Sequence, residues 1–167
     1  WWPEERWATE AIENILTIAD PEHLTLRVGL AHTVAQLWKE APLRELGKSY
    51  LLRLIPSTEK PVLRALASAF RHDTPWLPDL HTRDVLDALA TYPAIFLTDS
   101  GEFALEVLEH LVRYEPDRVY KVVAALIDTV ADELANTATS WAYRSDALVS
   151  IALTLQDKGG EHSTQGA

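Results

Sequence analysis

The chain has 167 residues, 47% of them hydrophobic and 24% charged, which is the composition of a folded globular domain rather than of a disordered segment. Its formal net charge of −10 argues against nucleic acid and anionic membranes as partners, because both carry negative charge. The absence of cysteine excludes disulfides, thiolate metal sites and cysteine nucleophiles. No apolar run approaches the ~18 residues of a membrane span. The compartment is left open, with the cytoplasm as the default.

The two ends of the sequence predict a segment of a longer protein. Methionine is absent, and the sequence opens on Trp1-Trp2-Pro3. Residues 158–167 form a polar tail that we interpret as the approach to a further helix, so that residues 1–157 constitute one helical domain. Two interpretations of Trp1 and Trp2 stay open. They are either core residues that face a preceding repeat or an exposed binding patch, since tryptophan is favoured at binding hot spots.

Hydrophobic residues recur at three- and four-residue spacing through the N-terminal half, which is the pattern of amphipathic helices. Prolines separate these segments, because proline is tolerated in the first turn of a helix but not in its interior. The predicted helices begin at Pro3, at Asp20-Pro21, after Ala41-Pro42 and at Pro61. Gly47 weakens the third of them by ~1 kcal/mol relative to alanine. We interpret this glycine as room for a neighbouring helix to pack closely.

The C-terminal half keeps the helical periodicity, and no strand pattern survives in either half. The predicted helix starts are Thr82, Ser100, Glu115-Pro116 and Thr139 or Ser140. Serine and threonine suit these positions because their side chains accept hydrogen bonds from the first helical turn. Pro93 ends one helix and leaves Ile95-Phe96-Leu97 as a short apolar turn. The fold class is therefore all-α, with about eight helices in four antiparallel pairs and two halves, 1–72 and 82–157.

A loop over residues 71–82 joins these halves and contains three candidate binding residues, His72, Trp76 and His81. Potential metal ligands crowd together only here. The alternative is a solvated linker whose tryptophan plugs the gap between stacked helix pairs. A buried Trp76 would therefore be a wedge between repeats, and an exposed one would mark a partner surface.

Three predicted helices share a local hydrophobic pattern around an arginine, at Arg27, Arg64 and Arg144. These positions fit a period of ~40 residues with two helices per unit, which is typical of helical solenoids. Together with the Asp20-Pro21 turn ahead of Arg27, the pattern resembles the HEAT/armadillo class. The resemblance implies a HEAT-like right-handed α-solenoid with an extended partner-binding surface, no cofactor and no catalysis.

The terminal stretch from Tyr143-Arg144 through Leu155 to Gly159-Gly160 resembles the C-terminal helical ends of large bacterial multidomain NTPases, including antiviral defence proteins. That resemblance implies the sensor or scaffold arm of such an enzyme. The leading functional hypothesis is accordingly a non-catalytic module for protein–protein or interdomain binding. Its partner is another protein or another domain of the parent chain.

The His72-Asp73 pair carries the alternative hypothesis, because it resembles the HD-type metal-dependent phosphohydrolases, which are also all-helical. The resemblance implies a metal held by His32, His72, Asp73 and either Asp128 or Asp132. Histidine and carboxylate suit such ions, and the metal would activate a water for attack on a phosphoester. In that family the pair lies within a continuing helix, whereas here a proline follows two residues later. The other interpretation of the pair is a capped helix end.

Overall fold

A computed structural model describes residues 10–14, 23–71, 76–134 and 142–164 of the chain. These ranges are helical and contain no strand, which confirms the all-α class. The α-helices are α1 (described over residues 10–14), α2 (Leu24–Lys39), α3 (Arg44–Leu54), α4 (Lys60–Leu66), α5 (Leu80–Thr91), α6 (Gly101–Leu111), α7 (Pro116–Leu134) and α8 (Ala142–Thr164). Short 3-10 helices span Ala41–Leu43, Ala67–Phe70 and Pro93–Leu97. No helix in the described ranges combines the length and hydropathy needed to cross a bilayer.

Prolines mark the helix starts much as the sequence predicts. Pro116 is the first residue of α7, and Pro61 lies in the first turn of α4. Pro93 opens the 3-10 helix that contains the predicted apolar turn at 95–97. In each place the proline occupies a first-turn position, where its missing amide proton costs no helical hydrogen bond. The Asp20-Pro21 turn and Pro3 lie outside the described residues.

The start of α5 differs from the prediction, because its N-cap is Asp79 rather than Thr82. The Asp79 carboxylate accepts a hydrogen bond from the backbone amide of Thr82 at 2.8 Å. Thr82 itself is buried in the first turn. Aspartate caps a helix at least as well as threonine, and a cap three residues earlier lets α5 begin at Leu80. The loop that was predicted to span residues 71–82 therefore ends at Asp79.

Replacing this cap, in Asp79→Ala, is expected to lower the free energy of unfolding by about 1 kcal/mol at neutral pH. Burial raises the pKa of Asp79, but the hydrogen bond from Thr82 and the charge of Arg44 outweigh it and hold the pKa below its ordinary value of 3.8. A lowered pKa means that the ionised carboxylate stabilises the fold above pH 3.8 and that this stabilisation is lost as the pH falls through the folded-state pKa. Urea denaturation from neutral to acidic pH measures the effect. A wild-type-to-variant difference that stayed constant throughout that range would contradict the assignment.

The C-terminal helix is longer than predicted. α8 continues through Gly159 and Gly160 to Thr164, so the predicted end of this helix ahead of the tail 158–167 is wrong. Each glycine weakens a helix by about 1 kcal/mol relative to alanine, but unlike proline it keeps its amide donor. The hydrogen-bond ladder therefore passes through both glycines. Residues 165–167 lie outside the described ranges.

Helices two apart along the chain pack against each other. Among the even-numbered helices, α2 contacts α4 and α6 contacts α8, while the 3-10 helix Ala67–Phe70 that follows α4 contacts both α2 and α6. Among the odd-numbered helices, α3 contacts α5 and α5 contacts α7. Ion pairs follow the same two series. Arg53–Glu13, Lys48–Asp84 and Arg118–Asp87 join odd-numbered helices, while Arg27–Glu59 and Arg64–Asp99 join α2 and α4 to the residues ahead of α4 and α6. The described chain thus has two series of neighbouring helices, one even-numbered and one odd-numbered.

The two series meet most closely where α3 crosses α2, at Gly47. A Cβ atom at Gly47 would lie 2.6 Å from the backbone nitrogen of Trp38 and 2.8 Å from the carbonyl carbon of Leu37. Real Cβ atoms do not approach backbone so closely, so only glycine fits here. The predicted close packing of a neighbouring helix is confirmed at this position.

Candidate binding surface

The structure separates the residues that the sequence placed together in the central loop. Trp76 is buried, and His81 is half-buried in the first turn of α5. His72 lies outside the described residues, as do Trp1 and Trp2, so their predicted roles stay predictions. The described part of the loop therefore contributes one interior residue and one residue at the surface.

Trp76 belongs to an aromatic cluster that closes the core between α2 and the 3-10 helix at 67–70. Its ring stacks on Phe70, with 4.7 Å between ring centroids and 12° between ring planes, and lies 4.9 Å from the ring of Trp38. Its indole Nε1 donates a hydrogen bond to the carbonyl oxygen of Ala69 at 3.3 Å. Only 5% of the residue is exposed. This burial favours the wedge interpretation of Trp76 over a role in direct contact with a partner.

His81 lies in a polar junction between α3 and α5. Its Nδ1 is 2.9 Å from the Oε2 atom of Glu45. Beside it, Lys48 reaches both Glu45 and Asp84 at 3.1 Å. Burial lowers the pKa of Lys48, but the hydrogen bonds to Asp84 and Glu45 outweigh it and raise the pKa above its ordinary value of 10.5. Lys48 pairs with both carboxylates, which gives the junction a structural role in holding α3 against α5.

The described members of the predicted metal set lie on separate helices. His32 is exposed on α2, and Asp128 is exposed on α7. Within the ranges that the structure describes, no group of three or more histidine, aspartate or glutamate side chains is placed to hold a metal ion. The His72-Asp73 pair and the side chain of Asp132 are not among the described groups, so the phosphohydrolase hypothesis gains no support from the described residues.

An open cleft of about 580 Å³ crosses the even-numbered helices. It is lined by Val28, His32, Lys60, Pro61, Arg64, Ala65, Ser68, Arg71, Leu97, Thr98, Asp99, Ser100 and Phe103. α2, α4 and α6 each contribute to this lining, and the turn at 97–100 closes one side. We call this surface the even-helix cleft. Its position depends on the contacts between helices two apart, because each helix alone supplies only a narrow strip of it.

Positive charge dominates the even-helix cleft, although the whole chain has a net charge of −10. Lys60, Arg64 and Arg71 line it, with Asp99 as the one acidic residue in the lining. Arg64 is 3.7 Å from Asp99, and both side chains are largely exposed, so water screens this pair and it contributes little to stability. The Arg71 guanidinium lies 5.4 Å from the ring centroid of Phe103. Lys60 forms no ion pair with any other residue that the structure describes.

Sequence reasoning missed this cleft because the basic residues look scattered along the chain. One local signal was present. Lys60 and Arg64 are four residues apart, which places them on one face of a helix, and that face carries no acidic residue. α2 and α6 contribute residues to the cleft through tertiary packing, and no local pattern in the sequence indicates that packing.

The cleft has the chemistry of a binding surface: apolar patches and cations lie side by side and open to solvent. The described lining includes His32 but no second histidine and no carboxylate other than Asp99. No protein-family model, curated protein or solved structure matches the chain at a level that indicates a relationship.

Proposed function

We propose that the chain is a non-catalytic helical-repeat module that binds a partner protein in the even-helix cleft. The observation that carries the proposal is the cleft itself, which runs across three successive even-numbered helices. Surfaces built from several repeats are how solenoid proteins bind extended partners. On this proposal the partner is another protein or another domain of the same parent chain.

An equivalent ion pair in two successive units supports the repeat. Arg27 of α2 pairs with Glu59, which directly precedes α4. Arg64 of α4 pairs with Asp99, close before the start of α6. Each arginine thus reaches the acidic residue ahead of the next even-numbered helix. Together with the contacts between helices two apart, this supports antiparallel helix pairs stacked as a HEAT-like right-handed solenoid.

Exposed apolar residues on the last two described helices support a place within a larger assembly. Tyr120 and Ile127 of α7 are 61% and 54% exposed. Val149 and Leu153 of α8 are 57% and 58% exposed. Such residues suit stacking against a further repeat or another domain, as a scaffold or sensor arm of a multidomain bacterial NTPase would require.

Site-specific photo-crosslinking tests the proposed function. A photoreactive phenylalanine analogue is placed at His32 or Pro61, both exposed residues of the cleft. Matched control positions are Ser49 on α3 and Thr91 on α5, which are exposed on the odd-numbered helices. We expect the cleft positions to crosslink one specific protein or domain in the native cell, at several times the yield of the controls. Equal yields from all four positions, or crosslinks from the controls alone, would rule out the cleft as the binding surface.

A further inference from the structure

We infer that the even-helix cleft binds a short acidic peptide segment that also carries apolar side chains. The inference rests on the proposed function and names the chemistry of its partner. It depends on two properties of the cleft, its charge and its apolar floor, which together are more selective than either alone.

The charge of the cleft favours an anionic ligand. Lys60, Arg64 and Arg71 are three cations in one lining, against the single carboxylate of Asp99. Neither Lys60 nor Arg71 has a carboxylate partner among the described residues, and the Arg64–Asp99 pair is largely exposed, so water screens it and it contributes little to stability. Carboxylates of a bound peptide can therefore pair with all three cations without first breaking a buried ion pair. In an otherwise acidic protein, such a local positive field also directs an acidic segment to this face.

The apolar part of the lining favours a peptide over a simple anion. Val28, Pro61, Leu97 and Phe103 contribute hydrophobic surface to the same lining as the cations. α4 packs on α2, and the 3-10 helix that follows α4 packs on α6. At the roughly 8–10 Å between the axes of packed helices, the cleft spans about 20 Å, which an extended chain covers with about six residues. Alternate side chains of an extended peptide point to opposite sides. A segment whose acidic and apolar residues occupy every second position presents both kinds of side chain to the cleft from one side and therefore fits both properties.

Nucleic acid fits this surface less well. A phosphate backbone carries a charge at every nucleotide, and its affinity comes from a row of phosphate contacts that extends well beyond a few cations. Here the cleft lining supplies three cations, and the chain as a whole has a formal net charge of −10. A long phosphate backbone therefore gains few contacts and faces net repulsion from the protein.

Fluorescence anisotropy tests the inference. The probe is a labelled peptide of about eight residues in which glutamate and leucine take turns at every second position, with serine between them, and its counterpart has glutamine in place of glutamate. We expect the acidic peptide to bind, the glutamine peptide to bind much more weakly, and the difference to shrink at high salt. An oligothymidylate of equal length serves as the nucleic-acid probe. Tighter binding of the oligothymidylate than of the acidic peptide would overturn the inference.

Lys60→Glu identifies where the peptide binds. Lys60 is exposed at the first position of α4, where a negative charge is favourable to the helix dipole, so the variant should fold. We expect its affinity for the acidic peptide to fall by about tenfold or more, since attraction is replaced by repulsion. The matched control is Lys121→Glu, the same change at an exposed position of α7 outside the cleft, which should alter affinity less than about twofold.

The outcomes separate this inference from the proposed function. Equal losses in Lys60→Glu and Lys121→Glu would show that only net charge matters and would overturn the inference. If neither peptide binds while His32 and Pro61 still crosslink a specific protein, the inference fails and the proposed function stands. If the peptide binds and the crosslinks map to the odd-numbered helices, the proposed function fails, and the inference that rests on it fails with it.

Discussion

Trp76→Ala is expected to lower the free energy of unfolding by about 3–5 kcal/mol, the usual cost of deleting a buried tryptophan side chain. The indole is 5% exposed, stacks on Phe70 and lies against Trp38. Its removal leaves a cavity between α2 and the 3-10 helix at 67–70. It also removes the hydrogen bond to the carbonyl oxygen of Ala69. Since single domains are stable by about 5–15 kcal/mol, this one change removes a large part of the total.

Chemical denaturation followed by circular dichroism measures this loss. Leu77→Ala is the matched control, because Leu77 is the next residue and is 55% exposed. An exposed position away from such clusters is expected to change stability by less than about 0.5 kcal/mol. Trp76→Phe retains a ring and should lose less than Trp76→Ala. A Trp76→Ala variant as stable as Leu77→Ala would show that Trp76 is not a wedge between repeats. Trp76 would then be a candidate for direct contact with a partner.

Gly47→Ala is expected to destabilise the fold by about 1–3 kcal/mol or more, as overpacking does, although alanine is the better helix former. The new methyl group would lie 2.6 Å from the backbone nitrogen of Trp38. Backbone cannot move aside as a flexible side chain can, so α3 has to shift away from α2. That shift also disturbs Trp38, whose ring lies against Trp76. Denaturant titration of the variant gives the loss directly.

Gly29→Ala provides the control with the opposite sign. Gly29 lies in α2, is exposed, and has open space where its Cβ would be. The substitution therefore gains helix propensity without a clash and should raise the free energy of unfolding by about 0.5–1 kcal/mol. The same chemical change thus has opposite effects at two helical glycines. Stabilisation by Gly47→Ala would contradict the close crossing of α3 over α2.

Local sequence signals were sufficient for the helices and for several of their boundaries. Pro61 and Pro116 located two helix starts and Pro93 one helix end, because the fixed geometry of proline acts within one turn. Gly47 indicated a close crossing because a glycine inside a helix has a cost that packing must offset. The cap at Asp79 was missed because Thr82 satisfies the same local rule.

The candidate site depended on information that the local pattern does not contain. The even-helix cleft combines α2, α4 and α6, and nothing in the sequence of Lys60 and Arg64 indicates that Phe103 lies beside them. Trp76 shows the same limit. Its position in a His- and Pro-containing loop left a buried wedge and a partner surface both open, and its contacts with Phe70 and Trp38 favour the wedge. The composition of the cleft and the burial of Trp76 both depend on tertiary contacts between elements that are distant in the sequence.

The crosslinking yield from the cleft relative to the odd-numbered helices is the most direct test of the central claim. The measurement compares photoreactive residues at His32 and Pro61 with those at Ser49 and Thr91, in the native cell, with the same chain and the same reagent. Binding in the even-helix cleft predicts one specific protein or domain crosslinked from His32 and Pro61, at several times the yield from Ser49 and Thr91. Yields that do not differ between the two surfaces, or that favour Ser49 and Thr91, would contradict it.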